Sequence, residues 1–340
     1  MSEKEPMVKI TRRDFLKWAG MFAAAYGLSA SKVPEIAKAL EEKLAMHPVL
    51  WLQGGSCTGC SVSFLNVVDP DIKKVLLDPV VPGHQLSVKF HPNVSAAAGD
   101  VAINAIEDTA KNFKGKFVLV VEGSVPLAEK GAYCDVGEIG GKPVPFTKWM
   151  NDLGKDAALC IAIGTCSAYG GIPAGAPNPT QSVSLNDYFK SVGIKTPVLN
   201  VPGCPPHPDW FVLAVAGVLI NGLPKASDLD QYGRLLQFHG KSIHDYCTRR
   251  KQYDEGVFAE KYGDEGCLAT LGCKGPITNA DCPTRKWNGG VNYCIGAGAP
   301  CISCCEPGFP DASSPFYAKL PDETLIRYGY KAKKEDKANV

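Results

Sequence analysis

Cysteine constrains this chain more than any other residue: there are 14 in 340 residues, and eight of them fall between Cys247 and Cys305. That stretch is rich in Gly and Pro and poor in periodic apolar pattern, so it buries too little to hold itself together without a covalent or metal staple. Eleven of the cysteines, with His244, sort into three groups of four. Thiolates at this density suit iron–sulfur clusters, structural zinc or disulfides. Compartment and the backbone position of each sulfur choose among the three.

Residues 1–45 bear on the compartment. Thr11-Arg12-Arg13-Asp14-Phe15-Leu16-Lys17 reads as a twin-arginine export motif, and the apolar run from Trp18 to Ala30 is too short to span a membrane. Ala37-Lys38-Ala39 is the expected small-residue cleavage site. Twin-arginine export moves proteins already folded, so thiols that would oxidise outside can arrive ligated to metal. The expected destination is the periplasm, in solution or at the membrane. Beyond the signal the longest strongly apolar stretch is Trp210 to Ile220, about one buried helix, and no transmembrane anchor is expected. A net charge of +1 with 21% charged residues gives no global field for nucleic acid. Lys331 to Lys337, within a tail spanning 318–340, reads as a solvated end.

From Pro48 to about Leu223 short β-rich runs alternate with helical stretches, the signature of a parallel sheet covered by helices. Strands are expected at 49–52, 116–121, 158–163 and 197–201, and helices at 98–113, 146–153, 185–192 and 205–223. The first strand runs into Gly54-Gly55-Ser56-Cys57-Thr58-Gly59-Cys60, the third into Gly164-Thr165-Cys166, the fourth into Pro202-Gly203-Cys204. Ligands of open α/β sheets bind outside the carboxyl ends of the strands, so Cys57, Cys60, Cys166 and Cys204 are expected at one rim. Cys160 sits inside a strand between apolar neighbours and reads as a buried free thiol. After Leu223 the pattern turns to loops. His244, Cys247, Cys267 and Cys273 form one potential tetrad, and Cys282, Cys294, Cys301 and Cys304 another. Zinc would suit either on residue type alone.

The segments CTGCSVSFLN (57–66), GTCSAYGGIPA (164–174), PGCPPHPDW (202–210), IHDYC (243–247), GCKGP (272–276), DCPTRKWNGGVNYC (281–294) and PCISCCEPGFPD (300–311) resemble the small subunit of nickel–iron hydrogenases. The resemblance covers about Pro48 to Tyr317. It implies an α/β, flavodoxin-like domain (46–230) with a proximal 4Fe-4S cluster on Cys57, Cys60, Cys166 and Cys204. It also implies a small irregular iron–sulfur domain (231–317), with a distal 4Fe-4S cluster on His244, Cys247, Cys267 and Cys273 and a medial cluster on Cys282, Cys301 and Cys304. Most of the family has Pro where Cys294 stands, leaving a 3Fe-4S medial centre. A fourth thiol is similar to the nickel–iron–selenium branch and implies a 4Fe-4S cluster. Ser56 replaces a Glu common before the first cysteine. Gly59 and Gly171 stand where oxygen-tolerant members place extra cysteines, so that modified cluster is not expected.

By this resemblance the chain has no catalytic residue of its own. It relays electrons between the nickel site of a separate large subunit, its obligate heterodimer partner, and a carrier such as a multihaem c-type cytochrome of the cytochrome c3 kind. Two other readings are an electron-transfer subunit of a non-hydrogenase respiratory complex, against which both C-terminal tetrads stand, and a secreted module stapled by zinc or disulfides.

Overall fold

The structure, a computed structural model, describes residues 45–318 apart from Pro82, together with Pro321 and Glu323. The export motif, the cleavage site and the charged tail lie outside the described residues. Strands β1 (Ala45–Gln53), β2 (Pro79–Val81), β3 (His84–Phe90), β4 (Val118–Glu122), β7 (Leu159–Ile163) and β8 (Val198–Val201) build one sheet. Between them in the chain, β5 (Asp135–Ile139) and β6 (Lys142–Pro145) make a separate hairpin. The sheet order is β2-β3-β1-β4-β7-β8, with β2 antiparallel and all other pairs parallel. Its five parallel strands, counted along the chain, stack as 2-1-3-4-5, which is the flavodoxin-like order, with its switch point between β1 and β4.

Alternation along the strands makes two cores. Val49, Trp51, Val120, Ile161, Ile163, Leu199 and Val201 are buried together with Phe64 and Trp210, from helices Gly59–Leu65 and Pro208–Asn221. On the other face Leu50, Leu52, Leu119, Val121 and Cys160 meet Ile106, Trp149 and Phe189, from helices Gly99–Asn112, Phe146–Asp156 and Leu185–Val192. Each such aliphatic side chain contributes about 1.5–3 kcal/mol when withdrawn from water. Helix Pro208–Asn221 starts well, with Pro208 in its first turn and the His207 ring accepting from Asp209 N at 3.1 Å.

Two strands of the sheet go beyond those expected. β3 takes the flank of β1, and its signal is present in the chain: Leu86, Val88 and Phe90 alternate with Gln85, Ser87 and Lys89. β2, three residues long, is too short to carry one.

Beyond Asn221 the chain forms short helices and 3₁₀ turns. Apart from a small cluster of Tyr253, Cys267 and Ala269, its buried apolar residues do not make a core of their own. Phe238, Ile243, Leu268, Ala280, Tyr293 and Ile295 pack into the same cluster as the Trp51 face of the sheet. Helix Pro208–Asn221 is apolar almost all round because it lies between the two. Among the described residues no helix is long and apolar enough to cross a membrane.

Candidate functional site

Register explains how distant cysteines meet. Gln53 pairs with Glu122, Glu122 with Ile163 and Ile163 with Val201, so four parallel strands end in one row. Cys57, Cys166 and Cys204 follow that row within four residues, and Cys60 opens the first turn of helix Gly59–Leu65. Their sulfurs feel one another. Burial, then the Glu122 carboxylate, then Cys166, Cys57 and Cys204 push the Cys60 thiol well above its ordinary range. Burial, with Cys166 and Cys57, pushes Cys204 up to about 11. Glycine is required here by contact as well as by conformation. A Cβ on Gly164, at φ +85°, would stand 2.5 Å from Cys60 Sγ, and one on Gly171, at φ +54°, 2.8 Å from the Cys166 backbone.

Sequence reasoning misses Glu122, although a carboxylate ending a central strand of an α/β sheet is at the place where function gathers. It is fully buried at the switch point. Its oxygens accept from Trp51 Nε1 (2.9 Å), Gln53 Nε2 (3.1 Å), Ser56 Oγ (3.2 Å), Cys60 N (3.1 Å), Ser61 N (3.3 Å) and Ser61 Oγ. Ser56 therefore donates to a carboxylate rather than supplying one.

A second set of thiols adjoins the first. Cys304 is pushed up to about 11 by burial, drawn down by the Cys204 amide, and pushed up again by Cys294 and Cys204. Cys282 is raised by burial and by Cys304, Asp281 and Cys294. Cys294 is the exposed member, while Cys301 is buried. Thr165, itself buried, ties the loops: its Oγ1 donates to Cys304 O at 2.5 Å and accepts from Gly203 N at 2.9 Å.

The third set adjoins the second. Cys301 N donates to Cys273 Sγ at 3.4 Å. Cys267 is pushed up to about 12 by burial, with Cys273 and Cys247 adding to it. Burial, then the Arg250 guanidinium, push His244 down, so its ring is held neutral. His244 Nε2 is buried without a hydrogen-bond partner, although its ring stands edge-on to Tyr253 at 4.4 Å. A buried, neutral imidazole whose Nε2 has no hydrogen-bond partner suits a metal ligand.

Two links join the sets: the Cys204 amide lies against the Cys304 thiol, and Cys301 N donates to Cys273 Sγ. Among the described residues no three His, Cys, Asp or Glu side chains converge tightly enough to hold one ion. The donor sets fit iron–sulfur clusters: soft thiolates, one neutral imidazole, and amides aimed at sulfur, as Arg249 N on Cys247 Sγ (3.4 Å) and Ser303 N on Cys301 Sγ (3.4 Å). Cys160 and Cys305 are buried outside the sets, and Cys134 packs half-buried against the second core.

A parallel sheet whose strand ends present thiols, followed by a cysteine-rich extension wired to them, defines an iron–sulfur electron-transfer subunit. Residues 239–317 match the family model for the C-terminal part of the NiFe/NiFeSe hydrogenase small subunit, and residues 57–218 that of the NADH ubiquinone oxidoreductase 20 Kd subunit. The chain is 44% identical over 319 residues to the periplasmic [NiFeSe] hydrogenase small subunit of Desulfomicrobium baculatum, covering 91% of this chain and 99% of that one. It is 41% identical to the uptake hydrogenase small subunit of Azotobacter vinelandii, covering 94% and 85%. The solved reduced, active Ni-Fe-Se hydrogenase of Desulfomicrobium baculatum superposes with a TM-score of 0.76 at 45% identity, covering 82% of this chain and 100% of that one. The chain belongs to the NiFe/NiFeSe hydrogenase small-subunit family, and its role is electron transfer within a hydrogenase. The match of the first half to a respiratory subunit reflects a shared sheet domain; the family of the second half disfavours a non-hydrogenase reading.

Proposed function

We propose that this chain holds three four-iron clusters in line and passes single electrons between a nickel-bearing large subunit and an external carrier. Cys57, Cys60, Cys166 and Cys204 would hold the proximal cluster, Cys282, Cys294, Cys301 and Cys304 the medial one, and His244, Cys247, Cys267 and Cys273 the distal one. When bound, each cluster supplies a one-electron store whose potential follows its charge, burial and hydrogen bonds to sulfur. The observation that carries this reading is the end-to-end contact of the three donor sets. Buried thiols raised by desolvation shed their protons only to metal, so loading is coupled to proton release.

The proximal end supports a large-subunit face. Cys57 is exposed there, and Val62, Leu65, Val68 and Val291 present apolar surface beside a half-open cleft of about 700 Å³ between helix Gly59–Leu65 and Arg285–Gly290. At the distal end Tyr246, 44% exposed beside His244 in the chain, supports contact with a carrier, by resemblance a multihaem c-type cytochrome. A periplasmic location is supported by the similarity to the periplasmic [NiFeSe] hydrogenase small subunit of Desulfomicrobium baculatum and by the export motif, Arg12 and Arg13.

Metal and acid-labile sulfide analysis of the purified heterodimer tests the proposal. About twelve irons per chain are expected, from four on each of three clusters. Stoichiometric zinc with little iron or sulfide overturns it. Cys294→Pro separates the medial assignment: a three-iron paramagnetic signal should appear on oxidation, and its presence at full intensity before mutation removes Cys294 from the ligands.

A further inference from the structure

One side chain joins the second and third donor sets. Tyr293 precedes Cys294, and its ring is 4% exposed. Its backbone is held by the turn: Ala297 N donates to Tyr293 O at 2.9 Å, and Tyr293 N donates to Asn292 Oδ1 at 2.9 Å. A Cβ on Gly296 would stand 3.1 Å from the Tyr293 ring, so glycine there lets the ring lie against its own turn. The phenol reaches Cys247, in the third set, donating to Sγ at 3.6 Å, a length ordinary for sulfur because of its larger radius. Thr248 holds the phenol oxygen in place: its N–H donates to it at 3.0 Å and its Oγ1 lies at 3.0 Å. The Thr248 N–H fills one acceptor position of that oxygen, and with Thr248 Oγ1 donating as well, the phenol proton goes to Cys247 Sγ.

We infer that the Tyr293 hydroxyl is a positioning group for electron transfer, raising the potential of the distal cluster through its hydrogen bond to Cys247. The inference rests on the ligand assignment proposed above. A donor to a coordinating sulfur withdraws charge from it and favours the reduced state, which carries one more electron. No bond forms or breaks in this role: the phenol would donate to the Cys247 sulfur in both oxidation states of the cluster, more strongly where the sulfur carries more charge. The Arg249 amide donates to the same sulfur, so Cys247 carries two donors. By contrast, Cys273 is served by amides, from Cys301 and Gly275. Of these donors the phenol is the one that a single side-chain substitution can delete without touching the backbone.

The test is a redox titration of the heterodimer followed by paramagnetic resonance, on the native protein, Tyr293→Phe and Tyr293→3-fluorotyrosine. Phe keeps the buried ring and deletes the donor, so the distal midpoint should move negative while the proximal midpoint stays. Fluorine makes the hydroxyl a stronger donor, so the same midpoint should move positive; this variant decides the matter if the Phe protein fails to load metal. A distal midpoint that stays put, or moves the same way in both variants, overturns the role of Tyr293. Absence of a third, distal signal in the native heterodimer overturns instead the ligand assignment beneath it.

Discussion

The loops of Cys57, Cys166 and Cys204 hang from strands whose last residues pair across one row, whereas those of Cys267, Cys282 and Cys301 have no strand beneath them. In the first region, backbone ladders and two apolar layers position the sulfurs whether or not metal is present. In the second, position comes from single side-chain hydrogen bonds: Thr278 Oγ1 donates to Lys274 O (2.7 Å), Thr270 Oγ1 to Ala259 O, and Trp210 Nε1 to the Asp281 carboxylate (2.8 Å). A sheet is self-sufficient and a set of turns is not. On the proposed ligand assignment, metal ligation in the second region is therefore also folding free energy.

That contrast breaks most visibly on removing iron. Protein made under iron starvation should lose amide-exchange protection across residues 239–317 while β1, β4 and β7 keep theirs; equal protection in both halves would erase the distinction. Next in size is Arg234, 1% exposed, which pairs with Asp230 (2.6 Å) and Glu306 (2.9 Å) and donates to Cys305 O at 3.2 Å. Arg234→Met strands two carboxylates at the seam and should cost about 3–5 kcal/mol in denaturant. Thr165→Val, which unpairs Gly203 N and Cys304 O, should cost about 1–3 kcal/mol, and Thr165→Ser should recover most of it.

Per pH unit, a smaller effect is expected from acid. Burial, then Arg234, hold His239 neutral, pushing it from 6.5 down to about 3, and its Nδ1 faces Asn279 O at 2.8 Å. Because the unfolded chain takes up that proton first, the stability contributed is complete above pH 6.5 and is lost as pH falls toward 3. Its slope is at most one proton, about 1.4 kcal/mol per pH unit, and should vanish from the pH–stability curve of His239→Gln. The smallest effect belongs to Cys160→Ala inside β7. Iron content should be unchanged and stability should fall by about 1 kcal/mol; iron loss would show that Cys160 matters to a cluster.

Much of this was legible. Glycine-flanked cysteines directly after β-rich runs announced the rim, because strand period and turn residues are local properties of a chain. The parallel class followed from the alternation of strand and helix. Harder to read was β3, whose apolar positions, Leu86, Val88 and Phe90, are separated by Gln85, Ser87 and Lys89. Glu122 gave no local hint, since its meaning comes from donors at positions 51, 53, 56, 60 and 61. Tyr293 sits within a family-like motif, yet nothing in the motif tells which sulfur its hydroxyl meets.

By itself the sequence determined which chemistry was available: soft ligands spaced in three sets, and a helix-covered parallel sheet to carry one of them. Local spacing suffices for that, because residue type and short-range periodicity act within a few positions. Tertiary structure alone decided the order of the sets and what lies between them. Cys204 meets Cys304, and Cys301 meets Cys273, only once the second region has packed onto helix Pro208–Asn221. Such contacts are made by burial between distant segments, and no local pattern encodes which buried surfaces will close on each other.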